Sequence, residues 1–183
     1  MGHKKIKIVA ISGSLRANSS TNAVVKVIAG MVPENVDFII YNGLGDLPHF
    51  NDSSEVPAPV EQFRKLLRDA DGILICTPEY AFGLPGVLKN ALDWTVSSGE
   101  FVFKPVAVIT AATGGENAHK SLLLTLTALT ADIPEGGAVL IPFIRSKFDK
   151  EGNLSDPATI QLLDSVLNVL VNKIIQTNAI SLS

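Results

Sequence analysis

Two loops in this sequence carry side chains suited to holding a ligand. Thr77-Pro-Glu-Tyr-Ala-Phe-Gly-Leu-Pro-Gly86 supplies an acceptor in Glu79, an aromatic face in Tyr80 and Phe82, and backbone donors in a chain bent by proline and glycine. A flat heterocycle edged with donors and acceptors would suit that equipment; the plainer alternative is a Pro-rich connection whose Tyr80 only covers the core. Ser12-Gly-Ser-Leu-Arg-Ala-Asn-Ser-Ser-Thr-Asn22 is rich in hydroxyls and holds one fixed positive charge, Arg16. Ser12, Ser14, Ser19, Ser20, Thr21 and Asn22 offer donors to an anion, and Arg16 offers a charge-assisted contact. Neither a Gly-Lys-Ser/Thr ending nor a G-x-G-x-x-G pattern is present. A row of hydroxyls therefore suits one terminal monophosphate better than a triphosphate with Mg²⁺. Capping of the next helix by Ser20 or Thr21 is the compatible alternative.

A third stretch, Ala111-Ala-Thr-Gly-Gly-Glu116, adds the Thr113 hydroxyl and the pair Gly114-Gly115. The glycines serve either close approach of backbone to a ligand or a turn that needs positive φ. No catalytic side-chain set or metal site is read from the sequence. His49 has no second His or Cys at ligand spacing and reads as a surface residue, and His119, at the start of a helix, reads as solvated.

The elements that position these loops follow from the apolar pattern. Ile6–Ile11, Val36–Tyr41, Gly72–Thr77, Pro105–Thr110 and Ala138–Phe143 are short, β-branched runs, as expected of strands in a parallel sheet. Pro142 marks the last as an edge or a strand end. Helical spacing appears from Ala23 to Met31, over Val60–Asp69, from Val87 onward, over Ala118–Thr130 and over Pro157–Gln176. Asn42–Pro59 and Thr95–Lys104 read as loops, the aromatics of the second packing either the core or a subunit contact. Strands alternating with helices predict an α/β, three-layer, doubly wound sheet. With ligand loops after strands one, three and four, the five-stranded parallel order 2-1-3-4-5 is expected, its switch point lying between strands one and three.

Pro78-Glu79-Tyr80, followed by Pro85-Gly86-Val-Leu-Lys-Asn-Ala-Leu-Asp-Trp94, resembles the flavin-contacting loop and helix of the NADPH-dependent FMN reductase family, which has a flavodoxin-like fold. Gly13-Ser-Leu-Arg16 with the Ser and Asn residues after it resembles that family's phosphate loop, and Leu47-Pro-His-Phe-Asn-Asp52 is similar to another of its segments. The chain departs from the pattern at Ala81, where members often carry a polar residue. The resemblance implies an FMN-dependent oxidoreductase that takes hydride from NADPH or NADH and reduces a small-molecule electron acceptor (flavin, quinone, azo compound or chromate) by a ping-pong mechanism. It implies that Ser12, Ser14, Arg16, Ser19 or Ser20, and Asn22 hold the phosphate. Pro78, Glu79, Tyr80 and Ala81 would line the ring through mainly backbone contacts, while Thr113, Gly114 and Gly115 close its other edge. FMN would carry the redox chemistry, so no catalytic side chain is expected. A homodimer or homotetramer is likewise implied. The rivals are an FMN-binding electron carrier or redox sensor without turnover, and a cofactor-free interaction module.

At 183 residues with 46% hydrophobic and 18% charged residues, the chain is expected to form a single domain over 1–183. Net charge −3 without a Lys/Arg run gives no footprint for nucleic acid. No uninterrupted apolar run of membrane length occurs, and the basic start Met1-Gly-His-Lys-Lys5 precedes an apolar run too short for a secretory leader. Cys76 is the one cysteine, so no intrachain disulfide forms and a cytoplasmic location is expected. Inside a buried strand it reads as an inert core thiol.

Overall fold

The computed structural model describes residues 5–52 and 55–180. The basic start considered for a leader lies, but for Lys5, outside the described residues. Five parallel strands form one sheet: β1 (Ile6–Ser12), β2 (Val36–Tyr41), β3 (Gly72–Thr77), β4 (Val106–Ala111) and β5 (Ala138–Ile141). Their order is β2-β1-β3-β4-β5, as expected. The helices are α1 (Ser20–Met31), α2 (Ala58–Arg68), α3 (Gly86–Asp93), α4 (Glu116–Ala128) and α5 (Pro157–Ile180).

Successive side chains of a strand point to opposite faces, and here both faces are apolar. Ile8, Ala10, Leu74, Cys76, Ala107 and Ile109 face one core, which α1 covers with Val24, Val25 and Ile28 and α5 with Leu163, Val166, Leu167, Leu170 and Ile174. Val9, Ile11, Ile73, Ile75, Val106 and Val108 face the other, covered by Phe63 and Leu67 of α2, Leu88, Ala91 and Leu92 of α3, and Leu122 and Leu126 of α4. β3 and β4, buried at every residue, read as unbroken apolar runs for this reason. By length and composition α5, at 24 residues, is apolar enough to cross a membrane, which its interruptions by polar residues concealed in the sequence. One side of it lies on the sheet: Leu163 and Leu170 are fully buried while Asp164 and Asn168 are exposed.

Several local expectations shift. The long connection after β2 contains a 3₁₀ turn, Gly43–Asp46, whose Leu44 reaches the core. In the loop after α3, Phe101 is fully buried and Phe103 is 72% exposed, so its aromatics divide between core and surface. Arg64, buried on α2, donates to the Trp94 carbonyl at the end of α3. A cation against a helix C-terminus opposes the negative end of that dipole. Cys76 is fully buried and burial pushes its thiol well up, consistent with an inert core residue.

Candidate functional site

The loops after β1, β3 and β4 meet at the carboxyl ends of the strands, beside the switch point where β1 pairs with both β2 and β3. Gly13 makes that meeting close: its N–H donates to the Cys76 carbonyl at 2.8 Å, and a Cβ there would stand 2.8 Å from Thr77 Oγ1.

The loop after β1 is shaped by its own hydroxyls. Ser12 Oγ donates to Thr21 Oγ1 at 3.1 Å, and Thr21 Oγ1 also lies 3.1 Å from Ser19 Oγ. Ser19 is the helix cap, in place of the expected Ser20 or Thr21: it has extended backbone, and its Oγ accepts from the Asn22 N–H at 3.1 Å. Ser20 and Thr21 follow as the first helical residues, where N–H groups lack intrahelical partners. Asn22 turns its amide back on the loop, donating to the Arg16 carbonyl at 2.8 Å. It thereby holds Arg16 rather than facing the groove. The Arg16 N–H is held by Ser14 Oγ at 3.3 Å, and its exposed guanidinium has no ion-pair partner among the described residues.

The loop after β3 is fixed from a distance. Glu79 does not offer its carboxylate to the groove as a free acceptor: Oε2 accepts from the N–H groups of Asn117 and Ala118 at 3.0 and 2.9 Å. It caps α4 from outside the helix, because the residue at the cap position is Gly115, which has no side chain to do so. Gly115 settles its own alternative too. Its φ is +110° and a Cβ would come within 2.7 Å of Leu140, so the turn itself requires glycine. Next in the chain, Tyr80 and Gly83 exchange two backbone hydrogen bonds around Ala81 and Phe82, both with positive φ (48° and 59°). Left-handed backbone at two residues with side chains is strained. Tyr80 Oη approaches Ser14 Oγ at 3.4 Å, joining the two loops.

Between the loops runs a groove of about 670 Å³, within the usual range for a small-molecule site. Of the sequence-predicted residues, Arg16, Ser19, Ser20, Thr21, Pro78, Glu79, Tyr80 and Thr113 line it. Ser12 and Ser14 are nearly buried beneath the first loop, Asn22 braces it, and Ala81, Gly114 and Gly115 lie outside the lining. One further wall carries no motif that marks its position in the sequence. Ile144, Arg145, Phe148, Glu151 and Gly152, between β5 and α5, also face the groove, as does Lys26 of α1. Backbone ties that wall to the loop after β4: the N–H groups of Phe143 and Ile144 donate to the carbonyls of Thr113 and Ala112, each at 3.1 Å. Hydrogen bonds made by backbone carry no side-chain signature in a sequence.

His119 is a correction. It is half-buried, its Nδ1 lies 2.9 Å from Thr110 Oγ1, and burial holds its imidazole below the ordinary value. His49 is exposed, as expected.

The donor set fits FMN. Arg16 and Lys26 stand on the α1 side of the groove, where no carboxylate lines the wall, so that side is cationic in a protein of net charge −3. The start of α1 adds its positive dipole end and the first-turn N–H groups. Pro78 and Tyr80 give a flat, partly apolar wall beside it.

Residues 6–145 match the model of a family described as NADPH-dependent FMN reductase. An NAD(P)H-dependent FMN reductase of Pseudomonas aeruginosa is 34% identical over 90% of this chain and 93% of its own length. A quinone reductase of Escherichia coli K12 is 30% identical over 90% and 93% respectively. Among solved structures, the flavoenzyme NAD(P)H:(acceptor) oxidoreductase FerB from Paracoccus denitrificans superposes with TM-score 0.75 at 25% identity. That match covers 93% of this chain and 98% of FerB.

Proposed function

The chain belongs to the NADPH-dependent FMN reductase family, and on that premise we propose that it is one flavodoxin-like domain that binds FMN in the groove and uses NAD(P)H to reduce a small-molecule acceptor. The observation that carries this reading is the groove at the switch point, cationic on its α1 side, with a capped helix start at one end and the Pro78–Tyr80 wall at the other. Bound there, FMN would supply the hydride and electron transfer that no protein side chain can.

The protein's own part is to bind and orient. Arg16, Ser19, Ser20 and the first turn of α1 take the phosphate, while Ser12, Thr21 and Asn22 hold that loop in shape. Pro78, Glu79 and Tyr80 line the ring, with Thr113 along the far edge, while Ala81, Gly114 and Gly115 shape the turns behind that lining. Glu79 keeps the second loop at a fixed distance from α4, and Tyr80 keeps it at a fixed distance from Ser14. Donor and acceptor would use the open side of the groove in turn. Flavins and quinones, the substrates named for relatives, have the planar shape that such a side admits. Exposed apolar side chains at this end, Phe82 and Leu15 among them, suit a homodimer or homotetramer, and the single cysteine, Cys76, supports a cytoplasmic location.

Initial rates measured over a grid of NADPH and quinone concentrations test the reading. Parallel double-reciprocal lines are expected, whereas intersecting lines would mean that both substrates must be bound together. Bound flavin without steady NADPH or NADH oxidation would favour an electron carrier or sensor.

A further inference from the structure

The flavin reading leaves one cation of the groove unmatched. A phosphate monoester carries about −1.5 to −2 charges near neutral pH. Arg16 and Lys26 stand on the α1 wall. Lys26 lies roughly 10 Å along the axis from Ser19, and helical side chains lean back toward the N-terminus. Arg16, Lys26 and the positive end of α1 therefore balance the flavin phosphate on one wall.

Arg145 faces the same groove from the wall between β5 and α5. It is exposed and has no ion-pair partner among the described residues, and its turn is anchored to the loop after β4 by the Ile144 N–H. Neighbouring lysines are committed or stand off the groove, exposed Lys150 among the latter. Lys147 pairs with Asp156 at 3.4 Å, and Lys120, exposed on α4, does not line the groove.

Building on the flavin reading, we propose that Arg145 selects the hydride donor by receiving the 2′-phosphate that NADPH carries and NADH lacks. A guanidinium suits this task because its planar fork can give a phosphate two parallel hydrogen bonds. Glu151, the carboxylate on the same wall, faces the groove as well and tempers that attraction. Donor preference then reflects the difference between the two charges.

The test is kcat/KM for NADPH and for NADH at saturating acceptor, with flavin content measured, for the wild type, Arg145→Ala and Arg145→Lys. The wild type should prefer NADPH. Arg145→Ala should lower kcat/KM for NADPH about 10- to 100-fold, mainly through KM, and leave NADH within about twofold, as loss of one charge-assisted contact implies. Flavin content should not change, and Arg145→Lys should recover part of the loss. A wild type without NADPH preference, an equal loss for both donors, or flavin loss in Arg145→Ala would each overturn the assignment. Wild-type protein that binds no flavin and oxidises neither donor would overturn the flavin reading itself, and the inference with it.

Discussion

The loops after β1 and β3 meet through Ser14 and Tyr80, yet they are held by opposite means. The first is shaped almost entirely by hydrogen bonds among Ser12, Ser14, Arg16, Ser19, Thr21 and Asn22. The second depends on a carboxylate that reaches α4, and its own turn is strained at Ala81 and Phe82. A self-contained loop can lose a ligand-facing group without loosening the fold. A loop tied into another element cannot lose its tie without disturbing both.

Arg16→Ala should show the largest effect on binding. Loss of a charged contact to the phosphate, about 1.5–3 kcal/mol, raises the FMN dissociation constant roughly 10- to 100-fold. The melting temperature of the flavin-free protein should stay where it was, and a clear drop would mean that Arg16 supports the fold. Flavin titration by fluorescence quenching, beside a thermal melt, reads both quantities.

Glu79→Ala should act on both quantities at once. Removing the cap of α4 costs about 0.5–2 kcal/mol of stability in the flavin-free protein, and FMN affinity falls as the loop shifts. Glu79→Gln, which keeps an acceptor oxygen, should recover part of each. Weakened FMN binding with an unchanged melt would make Glu79 a direct ligand and erase the contrast between the loops.

The smallest expected effect lies beneath the rim, at His119. Its folded pKa is depressed, so the fold disfavours the imidazolium. The associated stability is present above the unfolded value of 6.5 and is lost as pH falls through the depressed folded value. His119→Gln should flatten that slope in melts taken from neutral pH downward. An unchanged slope would assign it to other groups.

The contrast also explains what could be read from the sequence. The buried strands were legible because β-branched runs are local, and the sheet order followed from the three ligand loops together with the family resemblance. The phosphate loop was legible because its hydroxyls and Arg16 are adjacent in the chain; the cap moved to Ser19, and Ser12, Ser14 and Asn22 brace the loop rather than line the groove. The role of Glu79 was hidden because its partners, Asn117 and Ala118, lie far along the chain and contribute only backbone N–H groups. Lys26 and the wall bearing Arg145 and Glu151 were hidden likewise. The sheet and helix packing bring them to the groove, and no motif marks them.

The most direct test of the central claim is an absorption spectrum of the purified protein, as isolated and after FMN addition and desalting, followed by anaerobic NADPH. The account predicts a flavin spectrum that survives desalting and bleaches when NADPH is added. Protein that retains no flavin, and shows no binding when titrated with FMN, would contradict it.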